Sequence, residues 1–199
     1  PSKGKLCNFD CVYCECGWNK DGMGDRKFPE FADVQAALEE KMSRAAAEGV
    51  PVDSITFSGN GEPTIHPDFD AIIDDTIALR DRYCPNAKIS VLTNATQITK
   101  EKVFEALRKV DNNILKLDTV NSDYISFLDR PTGRYDLSEI IRRMKAFEGK
   151  AIIQTMFLKG NVSGTDVNNT TDESVVPWIE AVKEIAPREV MIYTIDRET

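Results

Sequence analysis

The sequence predicts an α/β protein: a parallel sheet arranged as a partial (βα)6, TIM-like barrel. Three observations predict it. Apolar runs at 52–57, 89–92, 114–117, 151–158 and 190–195 read as strands. Between them lie segments whose apolar residues recur at helical spacing. Strict strand–helix alternation implies parallel pairing with right-handed crossovers. The length is 199 residues, whereas a full eight-unit barrel needs about 250 residues.

The elements follow in order. Before Cys7 the chain holds one large apolar residue, Leu6, so no strand is expected there. The chain starts without Met and stops just after a strand. It is therefore expected to be a single domain, 1–199, cut from a longer protein and lacking its first strand. Residues 30–48 place Phe31, Val34, Leu38, Met42 and Ala45 on one helical stripe, ended by Gly49. After the first strand, 59–63 read as a tight loop. Pro67 opens a helix with Phe69, Ile72, Ile73 and Ile77 inward. The second strand ends at Thr93-Asn94. A helix from about Lys100 buries Val103, Phe104 and Leu107. The third strand ends at Asp118. A short helical turn at 124–128 precedes a helix over 137–147 that carries Ile140, Ile141 and Met144. Beyond the fourth strand, the polar stretch 159–172 reads as a loop. A last helix carries Val175, Ile179, Val182 and Ile185, with Pro177 placed in its first turn.

Composition narrows the classes of function. Apolar residues make up 41% and charged residues 29%, enough for a sizeable core. No apolar run approaches the ~20 residues that span a bilayer, and no signal-peptide core is present. A net charge of −8 argues against general nucleic-acid binding, which depends on neutralising phosphates. Five cysteines without a targeting segment predict a reducing, cytoplasmic setting. Cys7, Cys11, Cys14 and Cys16 lie too close in sequence for two comfortable disulfides. Cys84 reads as a small buried apolar residue.

Cys7, Cys11 and Cys14 are the strongest chemical signal. They stand in Cys7-Asn8-Phe9-Asp10-Cys11-Val12-Tyr13-Cys14, a C-x3-C-x2-C pattern. Three thiolates are one short of the four that close a tetrahedral zinc site or saturate a four-iron cluster. A centre they hold keeps a position for a substrate or cofactor. Cys16 offers the alternative of a closed site, either structural zinc or an electron-transfer cluster, although C-x-C is short for zinc.

The second signal is Ser58-Gly59-Asn60-Gly61-Glu62-Pro63-Thr64 at a strand end. Glycines let backbone approach a ligand, and a carboxylate there can accept from an ammonium group. A plain turn with a solvated Glu62 is the alternative. The third signal is Lys116 and Asp118, two apart on one strand face, as ligand contacts or as a structural ion pair. Thr93, Asn94, Gln154 and Thr155 lie at neighbouring strand ends, with capping and turn bonds as the simpler role. Ile192 and Tyr193 read as core, or as adenine contacts. Arg130, in the turn 129–133, reads as a surface residue or a contact to an acidic substrate. His66, the one histidine, reads as a cap. The loop 15–29, with Trp18, Gly22 and Gly24, is a candidate cover for the cysteines.

The cysteine spacing, with Tyr13 in the aromatic slot before the third cysteine, resembles the motif of the radical S-adenosylmethionine (radical SAM) superfamily. The loop Gly59-Asn60-Gly61-Glu62-Pro63 is similar to that family's Gly-Gly-Glu-Pro motif, with Asn60 inserted. The phrase from Phe57 to Pro67 looks like an Fe–S oxidoreductase subgroup related to wyosine-type tRNA-modifying enzymes. The resemblance covers about Cys7 to Arg197.

It implies that Cys7, Cys11 and Cys14 bind three irons of a 4Fe-4S cluster. S-adenosylmethionine then chelates the fourth iron. It further implies cofactor contacts at Tyr13, Gly59, Gly61, Glu62, Thr93, Asn94, Lys116, Asp118 and Gln154. Glu62 is the expected ammonium contact. Reductive cleavage of S-adenosylmethionine would give a 5′-deoxyadenosyl radical that abstracts hydrogen from a substrate: a small molecule, a peptide or RNA. A reductant such as a flavodoxin or ferredoxin would supply the electron.

Overall fold

A computed structural model of the chain describes residues 5–19 and 27–195. Helix α1 (Phe31–Glu48) is followed by β1 (Ser54–Phe57), a 3-10 turn (Pro63–Ile65), α2 (Phe69–Tyr83) and β2 (Lys88–Thr93). Then come α3 (Glu101–Lys109), β3 (Asn112–Lys116), α4 (Ser122–Leu128), α5 (Leu137–Lys145) and β4 (Ile152–Met156). The chain closes with β5 (Asn161–Val162), β6 (Thr165–Asp166), α6 (Asp172–Ile185) and β7 (Glu189–Tyr193). Five strands form one parallel sheet in the order β1-β2-β3-β4-β7. This α/β arrangement is consistent with a partial TIM-like barrel, and the five apolar runs of the sequence are its five strands.

Local chemistry sets the element ends. Gly49 adopts the left-handed conformation (φ 65°) that closes α1. Asn121 caps α4 by accepting from the amides of Asp123 and Tyr124. Asp136 caps α5 by accepting from Glu139 N at 3.1 Å. Ile89, Val91, Leu115 and Ile153 are fully buried beneath Phe69, Leu107, Met144 and Phe147. Each such side chain contributes about 1.5–3 kcal/mol on burial. Trp178 of α6 joins this core and donates Nε1–H to Leu117 O at 3.0 Å. Cys84 packs with Met42, Leu79 and Ala87, as its apolar reading requires.

Three expectations need correction. The stretch 159–172 is not all loop: β5 and β6 pair as an antiparallel hairpin, turning through Ser163 (φ 52°) and Gly164 (φ 87°). Pro177 is the sixth residue of α6, not in its first turn. Pro177 and Glu173 are both exposed, so the carbonyl that Pro177 leaves unpaired lies on the solvent side. Ile192 and Tyr193 are not core residues. They are 61% and 37% exposed, because β7 is an edge strand paired only with β4. Before Cys7 no strand forms among the described residues, where Leu6 makes an isolated parallel bridge with Gly61.

No helix among the described residues is long and apolar enough to cross a membrane.

Candidate functional site

The carboxyl ends of parallel strands leave backbone groups and loops free, which is where such sheets place their sites. Here the cysteine loop lies across those ends. Leu6 N donates to Asn60 O, and Glu62 N donates to Leu6 O, both at 2.8 Å. These two bonds join the loop to the glycine segment after β1. A Cβ on Gly61 would stand 1.8 Å from Leu6 O, so only glycine permits this approach. On the other side, Asp10 N donates to Asp129 O (3.0 Å) and Val12 N to Leu128 O (2.9 Å). Phe9 bridges to Pro131 and meets the Tyr135 ring edge-on at 5.6 Å.

The loop thus spans the sheet from β1 to the end of α4. Cys7 takes Asn94 Nδ2 at 3.8 Å and the Phe9 amide at 3.4 Å. Cys11 approaches Asp129 Oδ1 at 3.6 Å. Burial pushes the Cys7 thiol up to about 11, with Glu62 and Cys14 adding to it, and raises Cys11 as well. Cys16, exposed, reaches Gly59 O at 3.4 Å.

Glu62 is buried, at 5% exposure. Its Oε1 accepts from Thr64 N (3.0 Å), Thr64 Oγ1 and Thr93 Oγ1 (2.6 Å). Its Oε2 accepts from Asn94 N at 2.6 Å. Burial raises the carboxyl, while the Asn94 and Thr64 amides and the two hydroxyls pull it back. It is not the solvated turn residue of the simpler reading. Asn94 Nδ2 also donates to Asn8 Oδ1 (2.7 Å), and Asn8 Nδ2 donates to Thr96 Oγ1 (2.7 Å).

Beside Cys11 sits a buried charge cluster. Lys116 pairs with Asp118 and, at 3.3 Å, with Asp129. Tyr13 donates its hydroxyl to Asp118, and the Lys116 ammonium lies 4.6 Å from the centre of the Tyr13 ring. Asp118 Oδ1 takes the Met156 amide at 2.9 Å. Burial lowers Lys116, but Asp118 and Asp129 outweigh it and hold the ammonium well above its usual range. Burial also raises the Asp129 carboxyl. Lys116 and Asp118 are therefore paired with each other, with Asp129 added.

Gln154 lies in register with Lys116 on β4. Thr155 Oγ1 donates to Leu117 O at 2.7 Å, inside the strand layer. His66 accepts from Asp68 N through Nδ1 (3.1 Å) and meets Pro29 O through Nε2 (2.9 Å), which is a capping and bracing role. Arg130 is not a free surface arginine: its guanidinium stacks over Trp18 (4.6 Å) and Phe127 (5.5 Å). Gly22 and Gly24 of the expected cover lie outside the described residues.

An apolar cavity of about 520 Å³ opens beside β1, lined by Leu6, Val34, Phe57, Gly61 and Phe69 among others. None of Cys7, Cys11 and Cys14 lines it. Sequence reasoning missed Asn8, Asp10 and Asp129 as members of the site. Only the packing of α4 against the cysteine loop gathers Asp129 with Lys116.

Among the described residues no three His, Cys, Asp or Glu are gathered as ligands of one ion. A four-iron cluster asks for a different arrangement, with each thiolate on its own iron. The donor set fits that demand: three free cysteines on one loop, with N–H groups aimed at Cys7.

Comparison with known proteins agrees. The Radical SAM superfamily matches residues 2–170. A UPF0026 protein of Synechocystis sp. is 31% identical over 191 residues, covering 94% of this chain and 64% of that protein. A UPF0026 protein of Methanocaldococcus jannaschii is 29% identical over 195 residues, covering 96% and 56%. The chain thus spans less than two thirds of these relatives. Coproporphyrinogen III oxidase (HemN) from Escherichia coli, a radical SAM enzyme, has the same fold. Its TM-score is 0.62 at 16% identity, over 96% of this chain and 42% of that one.

Proposed function

The chain belongs to the Radical SAM superfamily, and from that premise we propose an enzyme in which Cys7, Cys11 and Cys14 hold a 4Fe-4S cluster beside bound S-adenosylmethionine. When bound, the pair supplies one-electron cleavage of the sulfonium and hydrogen abstraction from a substrate. The observation that carries the reading is the loop laid across the strand ends, tied to Asn60 and Glu62 through Leu6 and to Asp129 through Asp10. That placement sets Cys7 beside Asn94 and Cys11 beside Asp129 of the Lys116 cluster.

The chain's own residues then have defined tasks. Gly59 and Gly61 offer backbone close to the methionine ammonium. Glu62 contributes its negative charge there, while its oxygens fasten Thr64, Thr93 and Asn94. Oε1 already takes three chain donors, whereas Oε2 takes only the Asn94 amide, which leaves an acceptor position on Oε2 for the ammonium. Asn94 directs an N–H at Cys7, and hydrogen bonds to a thiolate favour its charged form. Tyr13, Lys116, Asp118 and Gln154 make the polar wall proposed for the ribose and carboxylate. The apolar core below the strand ends keeps water from the reacting groups. A flavodoxin or ferredoxin is the proposed reductant, and the setting is the cytoplasm.

The test is anaerobic reconstitution with iron and sulfide, then dithionite and S-adenosylmethionine, with 5′-deoxyadenosine as the readout. The wild type forms it and Cys11→Ala does not. A cluster that never yields 5′-deoxyadenosine would leave an electron-transfer protein, and bound zinc in place of iron would leave a structural domain.

A further inference from the structure

Lys5 is a charged residue that is almost wholly buried, at 2% exposure. Burying an ammonium group is costly unless it is paired and hydrogen-bonded. Its partners are Asp10 Oδ1 at 3.1 Å and Gly17 O at 3.0 Å. Asp10 Oδ1 also takes the Asn19 amide at 2.7 Å, and Asn19 Nδ2 returns to Phe9 O at 3.2 Å. One ammonium group therefore ties the entry of the cysteine loop to its middle and its exit. Cys7, Cys11 and Cys14 all lie between these anchor points.

We infer that Lys5 is the positioning residue of the cysteine loop and the resident cation beside its sulfurs, bracketing Cys7–Cys14 through Asp10 and Gly17. The inference rests on the proposed ligand set, but the bracket exists in the chain without any cluster. Two consequences follow from it. Without Lys5 the loop loses its internal tie, and the half-buried thiols open further to solvent. A cation near a cluster favours its more negative, reduced form. Removing that cation therefore shifts the midpoint potential in the negative direction. A lysine that only filled space would leave the potential where it was.

The experiment uses Lys5→Met and the double variant Lys5→Met/Asp10→Asn, which removes both charges and leaves no buried carboxylate unpaired. Far-UV circular dichroism checks that each folds. In the cluster-free proteins, alkylation of Cys7 and Cys11 followed by mass spectrometry reads the bracket alone. The double variant is expected to alkylate about tenfold faster than wild type, the scale on which residues supporting a metal's ligands act. An unchanged rate overturns the bracket even if the wild type takes up no cluster. In the reconstituted proteins, redox titration followed by electron paramagnetic resonance reads the potential. A negative shift is expected in Lys5→Met, where the Asp10 charge remains, and an unchanged potential there overturns the electrostatic part. Failure of the wild type to bind iron and sulfide strikes the ligand assignment, while the alkylation rates still decide Lys5.

Discussion

The backbone amide of Asn94, at the end of β2, donates to the buried Glu62 carboxylate at 2.6 Å, and so fastens two strand-end loops together. The same carboxylate holds Thr64 and Thr93. Glu62→Gln replaces one acceptor oxygen with a donor and leaves a buried N–H facing N–H. The expected loss is about 1–3 kcal/mol. Urea unfolding of both proteins reads it, and equal midpoints would contradict the bracing role.

Lys116 pairs with both Asp118 and Asp129, and the two carboxylates are buried. Lys116→Met strands two carboxylates and is expected to destabilise by about 3–5 kcal/mol. Asp129→Asn leaves one pair intact and should cost much less. Denaturant titration ranks the two variants, and the reverse order would refute this view of the cluster.

Gly61 lies against Leu6. Gly61→Ala drives a methyl group into Leu6 O and should destabilise by more than about 2 kcal/mol. Gly133, with open space around it, is the control, and Gly133→Ala should stay within about 0.5 kcal/mol of wild type. Thermal unfolding compares them.

Asp111 sits away from the site and sets an acid limit on stability. Burial pushes its carboxyl up, but the Ile89 amide (2.9 Å), Lys88 (3.3 Å) and Arg80 (3.1 Å) outweigh it and hold it below its ordinary value. A depressed folded value contributes stability that is present above the unfolded value, near pH 4, and is lost as pH falls below it. Asp111→Asn should therefore be less stable than wild type by about 1–2 kcal/mol at pH 7. The gap should close toward pH 3. A gap that widens in acid would contradict the sign.

The five sheet strands were legible because each is a short apolar run, rich in Ile and Val, between helical stripes. The β5–β6 hairpin was not, since two-residue strands in a polar stretch have no period to read. The exposure of Ile192 was hidden for a different reason. An apolar run looks interior until its neighbours are known, and β7 has only β4. The cysteine spacing and the glycine segment were plain in sequence because each is local. Asp129 and Lys5 were not, because a charged residue in a turn or near a terminus reads as solvated. The burial of Asp129 exists only once α4 and the cysteine loop meet, and that of Lys5 only once the loop folds back on itself through Asp10 and Gly17.

The central claim is that Cys7, Cys11 and Cys14 hold an iron cluster with one position left for S-adenosylmethionine. The most direct measurement is the electron paramagnetic resonance spectrum of the reduced, anaerobically reconstituted protein before and after adding S-adenosylmethionine. The account predicts four irons per chain and a spectrum that changes on addition, with the signal lost in Cys11→Ala. A spectrum indifferent to S-adenosylmethionine, or a normal cluster in Cys11→Ala, would contradict it.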